Sequence, residues 1–177
     1  MKIKGFFLIV LICFGCSKNE ARRPVNPRPS STLLSETVGA SKALNALEVK
    51  RIEAYIDKDT TQSYEVSENG FWYVYLNKLQ ENSPLPKFGD DVLFEYNITD
   101  LKGTIIYSKA ALGIKNYKVD KEDFISGLQK GIKLMKVGET VTFVIPSYHA
   151  FGIAGDGNKI KVNQTIKSTI TLLNIKH

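Results

Sequence analysis

The chain has 177 residues, 43% hydrophobic and 24% charged, a globular mixture that excludes pervasive disorder, a collagen-like repeat and a polytopic membrane protein. Lys and Arg outnumber Asp and Glu by 24 to 18, a net charge of +6. Two of those cations, Lys2 and Lys4, sit in a segment that reads as removable, so the excess on the remainder is milder still. Nucleic acid is not an expected partner, because an electrostatic footprint needs charge clustered on one face.

Residues 1–15 read as an export signal: Lys2 and Lys4 are followed by the apolar run Gly5 to Phe14. A run of about ten residues suits a signal core, whereas a spanning helix needs about 20. Cys16 directly after Gly15 resembles the bacterial lipobox, although Cys13 and Phe14 depart from its usual Leu and small residue. That resemblance implies lipid attachment at Cys16, the new N-terminus after cleavage. An uncleaved anchor or an ordinary secretory signal are the alternatives. Cys13 and Cys16 are the only cysteines, so none remains for a disulfide once both are accounted for. The expected location is the bacterial cell envelope, lipid-anchored, on the periplasmic face of the outer membrane.

Residues 16–39 read as a tether, with three of the six prolines at Pro24, Pro27 and Pro29 and then Ser30-Ser31-Thr32. Proline-spaced segments favour an extended chain of about 3.1 Å per residue, so some 20 residues reach ~60 Å. Residues 40–69 read as a helical extension. Ser41 is placed to cap it, and Leu44, Val49, Ile52, Tyr55 and Ile56 share one face at 100° per residue, opposite Lys50, Glu53, Asp57 and Lys58. Such a helix needs a surface to dock on.

Residues 70–177 form a β-rich domain with one clear helix. Phe71 to Leu76 is an aromatic strand, and Val92, Phe94, Tyr96 and Ile98 alternate with Leu93, Glu95 and Asn97 at period two. Asp100 to Gly103 turns the chain into a strand over Thr104 to Ser108. Val141, Phe143 and Ile145 alternate with outward Thr140 and Thr142, and Pro146 ends that strand. The last strand, Thr165 to Ile175, turns Ile166, Ile170 and Leu172 inward, with Ser168 breaking the stripe. Ser126 and Gln129 fit a capping box; Ile125, Leu128, Ile132 and Met135 form one apolar stripe, and Gly138 is placed to end the helix. The fold class is α+β: a twisted antiparallel β-sheet wrapped around one short helix, with an N-terminal helical extension.

The order of several motifs carries a resemblance: Pro86 to Val92, Gly103, Phe124-Ile125-Ser126-Gly127-Leu128, Gly131 to Glu139 with Met135 and Gly138, Ile145-Pro146, Ala150-Phe151-Gly152, and a closing Leu172 to Ile175. Over about 90 residues this resembles the FKBP-type peptidyl-prolyl cis-trans isomerases. A lipobox, tether and helix ahead of the aromatic strand resemble the gliding-motility-associated FKBP-like lipoproteins (GldI type). The family resemblance implies an apolar pocket, between sheet and helix, that binds proline-containing segments of exported proteins and speeds their cis/trans exchange. Matched motif by motif, it implies Tyr96, Ile106, Tyr107, Phe124, Ile125, Leu128, Phe151 and Ile160 as site residues, with the Ile125 N–H holding the substrate carbonyl. For each of them, plain core or surface packing is the competing reading.

Departures from the family pattern accompany the matches. Tyr107 stands where Asp is usual, Phe151 where Tyr is usual, Leu128 where many members have Trp, Lys161-Val162 where a Pro-Pro pair is usual, and Ser168 where an aromatic is usual. They imply lost polar contacts, a missing stretch of pocket wall, and weak catalysis. The alternative is a catalytically impaired binding or chaperone module. No cofactor or metal is expected: the only histidines are His149, read as a surface residue, and His177. Gly152 to Lys159 approaches a phosphate loop but has Asn158 where Lys is needed and no helix after it, so it reads as a loop over the pocket.

Overall fold

The computed structural model describes residues 30–80 and 83–176, with side chains from residue 34 onward. The signal segment, Cys16 and the proline-rich part of the tether through Pro29 lie outside the described residues. The chain divides into two compact units, 1–39 and 40–177.

Helix α1 spans Ser30–Ile56, beginning eleven residues before the Ser41 start read from the sequence. No proline follows Pro29 until Pro84, so nothing in the backbone prevents helix over 30–39, a stretch expected in the tether; Gly39 costs it only about 1 kcal/mol relative to Ala. In the second unit the helix buries Ile52 completely and Val49, Tyr55 and Ile56 in part, whereas Leu44, expected on that face, is 57% exposed. Glu48 is buried at 8% exposure, which the apolar pattern gave no reason to expect.

The strands are β1 (Glu65–Val66), β2 (Trp72–Asn77), β3 (Asp91–Tyr96), β4 (Ile98–Thr99), β5 (Ile105–Tyr107), β6 (Ile114–Lys118), β7 (Thr140–Ile145) and β8 (Ile166–Lys176). They form one antiparallel sheet in the order β1-β2-β7-β8-β3-β6, with β4 pairing β5 and β8. Two short helices, α2 (Lys109–Leu112) and α3 (Ser126–Ile132), complete the domain. The α+β class holds, with α3 against the inner face of the sheet.

Val92, Phe94 and Tyr96 of β3 and Ile98 of β4 are buried as the alternation requires. With Leu128, Ile132, Met135, Phe143, Ile170 and Leu172 they make the main core. β7 differs from expectation, being buried on both faces. Phe143 and Ile145 enter the main core, while Val144 joins Ile52 and Trp72 in a second cluster on the other face of the sheet. Thr142, read as outward and polar, is 5% exposed and exchanges a 2.8 Å hydroxyl bond with Thr169. A strand covered on two sides loses the half-polar alternation that a one-sided strand keeps.

α3 is shorter than its apolar stripe. It ends at Ile132 with Lys133 as C-cap, and Met135 reaches the core from the turn that follows. Gly138, expected as the helix stop, instead has φ +89° in the turn entering β7. The capping box is absent: Ile125 is the N-cap and has no side-chain cap bond.

Candidate functional site

The start of α3 is tied to the segment after β7. Ser126 Oγ donates to the His149 carbonyl at 3.0 Å, and Gln129 Nε2 to the Glu122 carbonyl at 3.2 Å, so both supposed capping residues are used elsewhere. Close approach of α3 to β7 is made possible by glycine. A Cβ on Gly127 would lie 2.6 Å from Ile145 Cγ2, and one on Gly131 2.6 Å from Phe143 Cε1.

Between the start of α3, β3–β5 and the segment after β7 lies an open cavity of about 480 Å³. Five of the residues inferred from sequence line it: Tyr96, Tyr107, Phe124, Ile125 and Phe151. Ile98, Leu112, Asp123 and Ala150 line it too and were not singled out. Ile98 continues the β3 alternation past Tyr96, and Asp123 and Ala150 each adjoin a named residue, so neighbourhood was the available signal. Leu112 carried none. Three inferred residues lie outside the lining: Leu128 is wholly buried, Ile160 is 3% exposed, and Ile106 packs half-buried against the main core. Leu128 and Ile160 belong to the main core, and Ile106 packs against it.

The wall is aromatic. Phe124 meets Tyr96 edge-on at 5.6 Å between ring centres, and lies 5.7 Å from both Phe94 and Tyr117. Lys115 Nζ stands 5.5 Å from the Phe124 ring centre. Burial raises the Tyr96 phenol. Ile125, which lines the cavity, is the N-cap of α3, so its N–H lies outside the helix's own ladder.

Tyr107 lines the cavity, but its hydroxyl is committed: it donates to Asp156 Oδ2 at 2.5 Å. Asp156 Oδ1 accepts the N–H groups of Asn158 at 2.9 Å and Ile160 at 2.8 Å. Desolvation pushes the Asp156 carboxyl up, but these bonds together outweigh it and hold it below the ordinary carboxylate range. The bond to Asp156, followed by burial, raises the Tyr107 phenol. The loop read from Gly152 to Lys159 is therefore pinned at its tip.

Ser168 is wholly buried, and its hydroxyl donates to the Asn97 carbonyl at 2.7 Å, while Asn97 Oδ1 accepts the Thr169 N–H at 2.8 Å. The missing aromatic thus leaves a bonded junction between β8 and the β3–β4 bend, and Ser168 is not part of the lining. His149, expected at the surface, is half-buried beside Tyr148 at 4.7 Å; desolvation and then Lys130 lower its imidazole. Among the described residues no group of three or more His, Cys, Asp or Glu could hold a metal ion. A second cleft of about 330 Å³ lies between α1 and the loops at Asp100–Lys102 and Asn163–Thr165, away from the aromatic wall.

Residues 83–173, just over half of the chain, match the FKBP-type peptidyl-prolyl cis-trans isomerase family. The chain belongs to that family. It is 32% identical over 95 residues to the human peptidyl-prolyl cis-trans isomerase FKBP9, an alignment covering 52% of this chain and 16% of that protein. It is 30% identical over 93 residues to FK506-binding protein 1 of Dictyostelium discoideum, covering 52% of this chain and 87% of that one. The chain thus spans about a sixth of the length of FKBP9. Among solved structures, FkpA from Escherichia coli superposes with a TM-score of 0.61 at 23% identity, over 85% of this chain and 75% of that one. A peptidyl-prolyl cis-trans isomerase from Pseudomonas syringae gives 0.60 at 20% identity, over 75% and 96%. These two likenesses speak to the fold, and they extend to more of the chain than the family match does.

Proposed function

We propose that this protein is a lipid-anchored envelope isomerase whose FKBP-type domain speeds cis/trans exchange of X-Pro bonds in exported proteins, at a rate below that of typical family members. The observation that carries the reading is the aromatic cavity lined by Tyr96, Phe124 and Phe151 together with Ile125, the N-cap of α3. The reaction needs no acid, base or metal. Its barrier of about 18–20 kcal/mol reflects the resonance that the amide loses as it twists. An apolar wall favours the twisted, less polar amide over the planar one, and a backbone N–H holds the carbonyl; catalysis is then preferential binding of the twisted state. Each ~1.4 kcal/mol of preference is worth tenfold in rate.

Two features support a reduced rate. Phe151 brings no hydroxyl to the cavity, and the Tyr107 hydroxyl is already bonded to Asp156. On this reading, two absent polar contacts of roughly 1 kcal/mol or more each would lower the rate by about one to three decades. The same two features favour the second reading, an FKBP-like binding or chaperone module with its pocket kept and its catalysis lost. A protease-coupled or NMR exchange assay on X-Pro peptides separates them. Acceleration that rises further with Phe151→Tyr supports the isomerase; peptide binding without acceleration supports the binding module.

The anchor at Cys16 and the periplasmic face of the outer membrane rest on the lipobox resemblance. The layout of lipobox, tether and helix favours clients in gliding-motility or secretion machinery, as in the GldI-type branch. Cys16→Ser is expected to leave the protein without incorporated fatty acid and outside the membrane fraction; label retained in the variant would overturn the anchor.

A further inference from the structure

The segment that joins β7 to β8 leaves the sheet after Ile145 and returns at Ile166, and one side chain from outside the family domain binds both of its stems, at Ser147 and Thr165. Glu48, in the second half of α1, accepts the Ser147 N–H at 2.7 Å and the Thr165 hydroxyl at 2.5 Å on Oε1, and the Ser147 hydroxyl at 2.7 Å on Oε2. The carboxylate is buried, and all three donors are uncharged; among the described residues no ion pair involves it. Withdrawing a carboxylate from water is costly, and an apolar residue facing the sheet would avoid that cost. What these bonds reach is the pocket wall. The Ser147 carbonyl accepts the N–H groups of Ala150 at 2.9 Å and Gly152 at 2.8 Å, and the Gly152 carbonyl accepts the Asn163 N–H at 2.8 Å. Ala150 and Phe151, held between these bonds, line the cavity.

We propose that Glu48 is a positioning residue for the X-Pro pocket: it ties the two stems of the 147–165 loop together and so fixes Ala150 and Phe151 in the wall. The proposal rests on the reading of that cavity as the X-Pro site. It makes α1 part of the functional unit although the family domain begins at residue 83. The role is geometric. A glutamine keeps an acceptor for Ser147 N–H and Thr165, and its amide N–H can donate to Ser147 Oγ, whereas alanine loses all three bonds.

The test compares the full chain with Glu48→Ala and Glu48→Gln, using amide hydrogen exchange and titration with an X-Pro peptide well below each variant's melting temperature. In Glu48→Ala the amides of Ala150, Gly152 and Asn163 should exchange at least tenfold faster, with β3 and β8 amides unchanged, and the peptide dissociation constant should rise about fivefold or more. Glu48→Gln should recover most of both. Unchanged exchange and affinity in folded Glu48→Ala overturns the role, as does an equal loss in the Gln and Ala variants. If Glu48→Ala does not fold, Ser147→Ala and Thr165→Val each remove a stem bond and should give two- to threefold effects; no effect in either overturns it. A wild type that binds no X-Pro peptide sinks the pocket reading itself, while accelerated exchange in Glu48→Ala would still show the tie between stems.

Discussion

Tyr107 shows how a substitution at one family position recruits a partner at another. The family pattern suggests that Tyr107→Asp restores a polar contact, but in this chain it would face Asp156, and two carboxylates at such a site repel. Tyr107→Asp should therefore weaken X-Pro peptide binding more than Tyr107→Phe, which removes only the hydroxyl; roughly two- to fivefold is expected for the Phe variant, read by peptide titration, with little movement in melting temperature. Asp156 has its carboxyl held low when folded, so its contribution is present above the ordinary carboxylate range and lost as pH falls through the folded value. His149 works in the other sense. Its imidazole is lowered from 6.5 by desolvation first and Lys130 second, so below that value the unfolded chain takes up the proton more readily than the folded one. Stability should fall as pH drops through about 6.5 and be regained above it, and urea unfolding at pH 7.5 and 5.5 should show a smaller difference in His149→Asn than in wild type. The Tyr107–Asp156 pairing was not readable from the sequence, because the two residues are 49 positions apart and only the loop's course joins them.

At the scale of elements, the sharpest constraint is the seat of α3 on β7. Gly131→Ala would gain roughly 1 kcal/mol of helix propensity, yet its Cβ would lie 2.6 to 3.0 Å from three ring atoms of Phe143, a side chain with no exposure. Overpacking a rigid aromatic costs about 1–3 kcal/mol, so the net change should be a loss of up to ~2 kcal/mol, seen as a lower urea midpoint with an unchanged slope. An increase in stability would show that α3 can lift from the sheet. The strands β2, β3, β7 and β8 were legible because each keeps at least one buried face of alternating or aromatic residues, and α3 because Ile125, Leu128 and Ile132 recur at helical spacing. β6 was not: Ile114-Lys115-Asn116-Tyr117-Lys118 buries Tyr117 alone, too little to reveal a period. α3's end was misplaced because Met135 extends the helical spacing into a turn. The cavity wall was legible where it coincides with family motifs and not at Leu112, which reaches it from a four-residue helix.

For the whole molecule, the units 1–39 and 40–177 predict two truncations with opposite outcomes. The contacts that dock α1 include Glu48 to Ser147 and Thr165, Ile52 with Trp72 and Val144, and Tyr55 with Lys167 at 3.0 Å, all from residue 48 onward. A chain lacking 1–39 should keep its melting temperature within a degree or two and bind X-Pro peptide as the full chain does. A chain lacking 1–69 exposes Trp72 and Val144, 6% and 0% exposed in the fold, and loses the wholly buried Ile52. Burying one such side chain contributes about 1.5–3 kcal/mol and three are affected, so the loss should be roughly 5–9 kcal/mol, or about 20 °C or more for a domain of this size. The second truncation should also loosen the 147–165 loop, because Glu48 goes with it; peptide affinity should then fall even at temperatures where the domain is fully folded. Ile52→Ala, which leaves a cavity but keeps the carboxylate, should cost about 2–4 kcal/mol and leave affinity largely intact. If the 1–69 truncation melts like the full chain, α1 is an appendage of the domain rather than part of it.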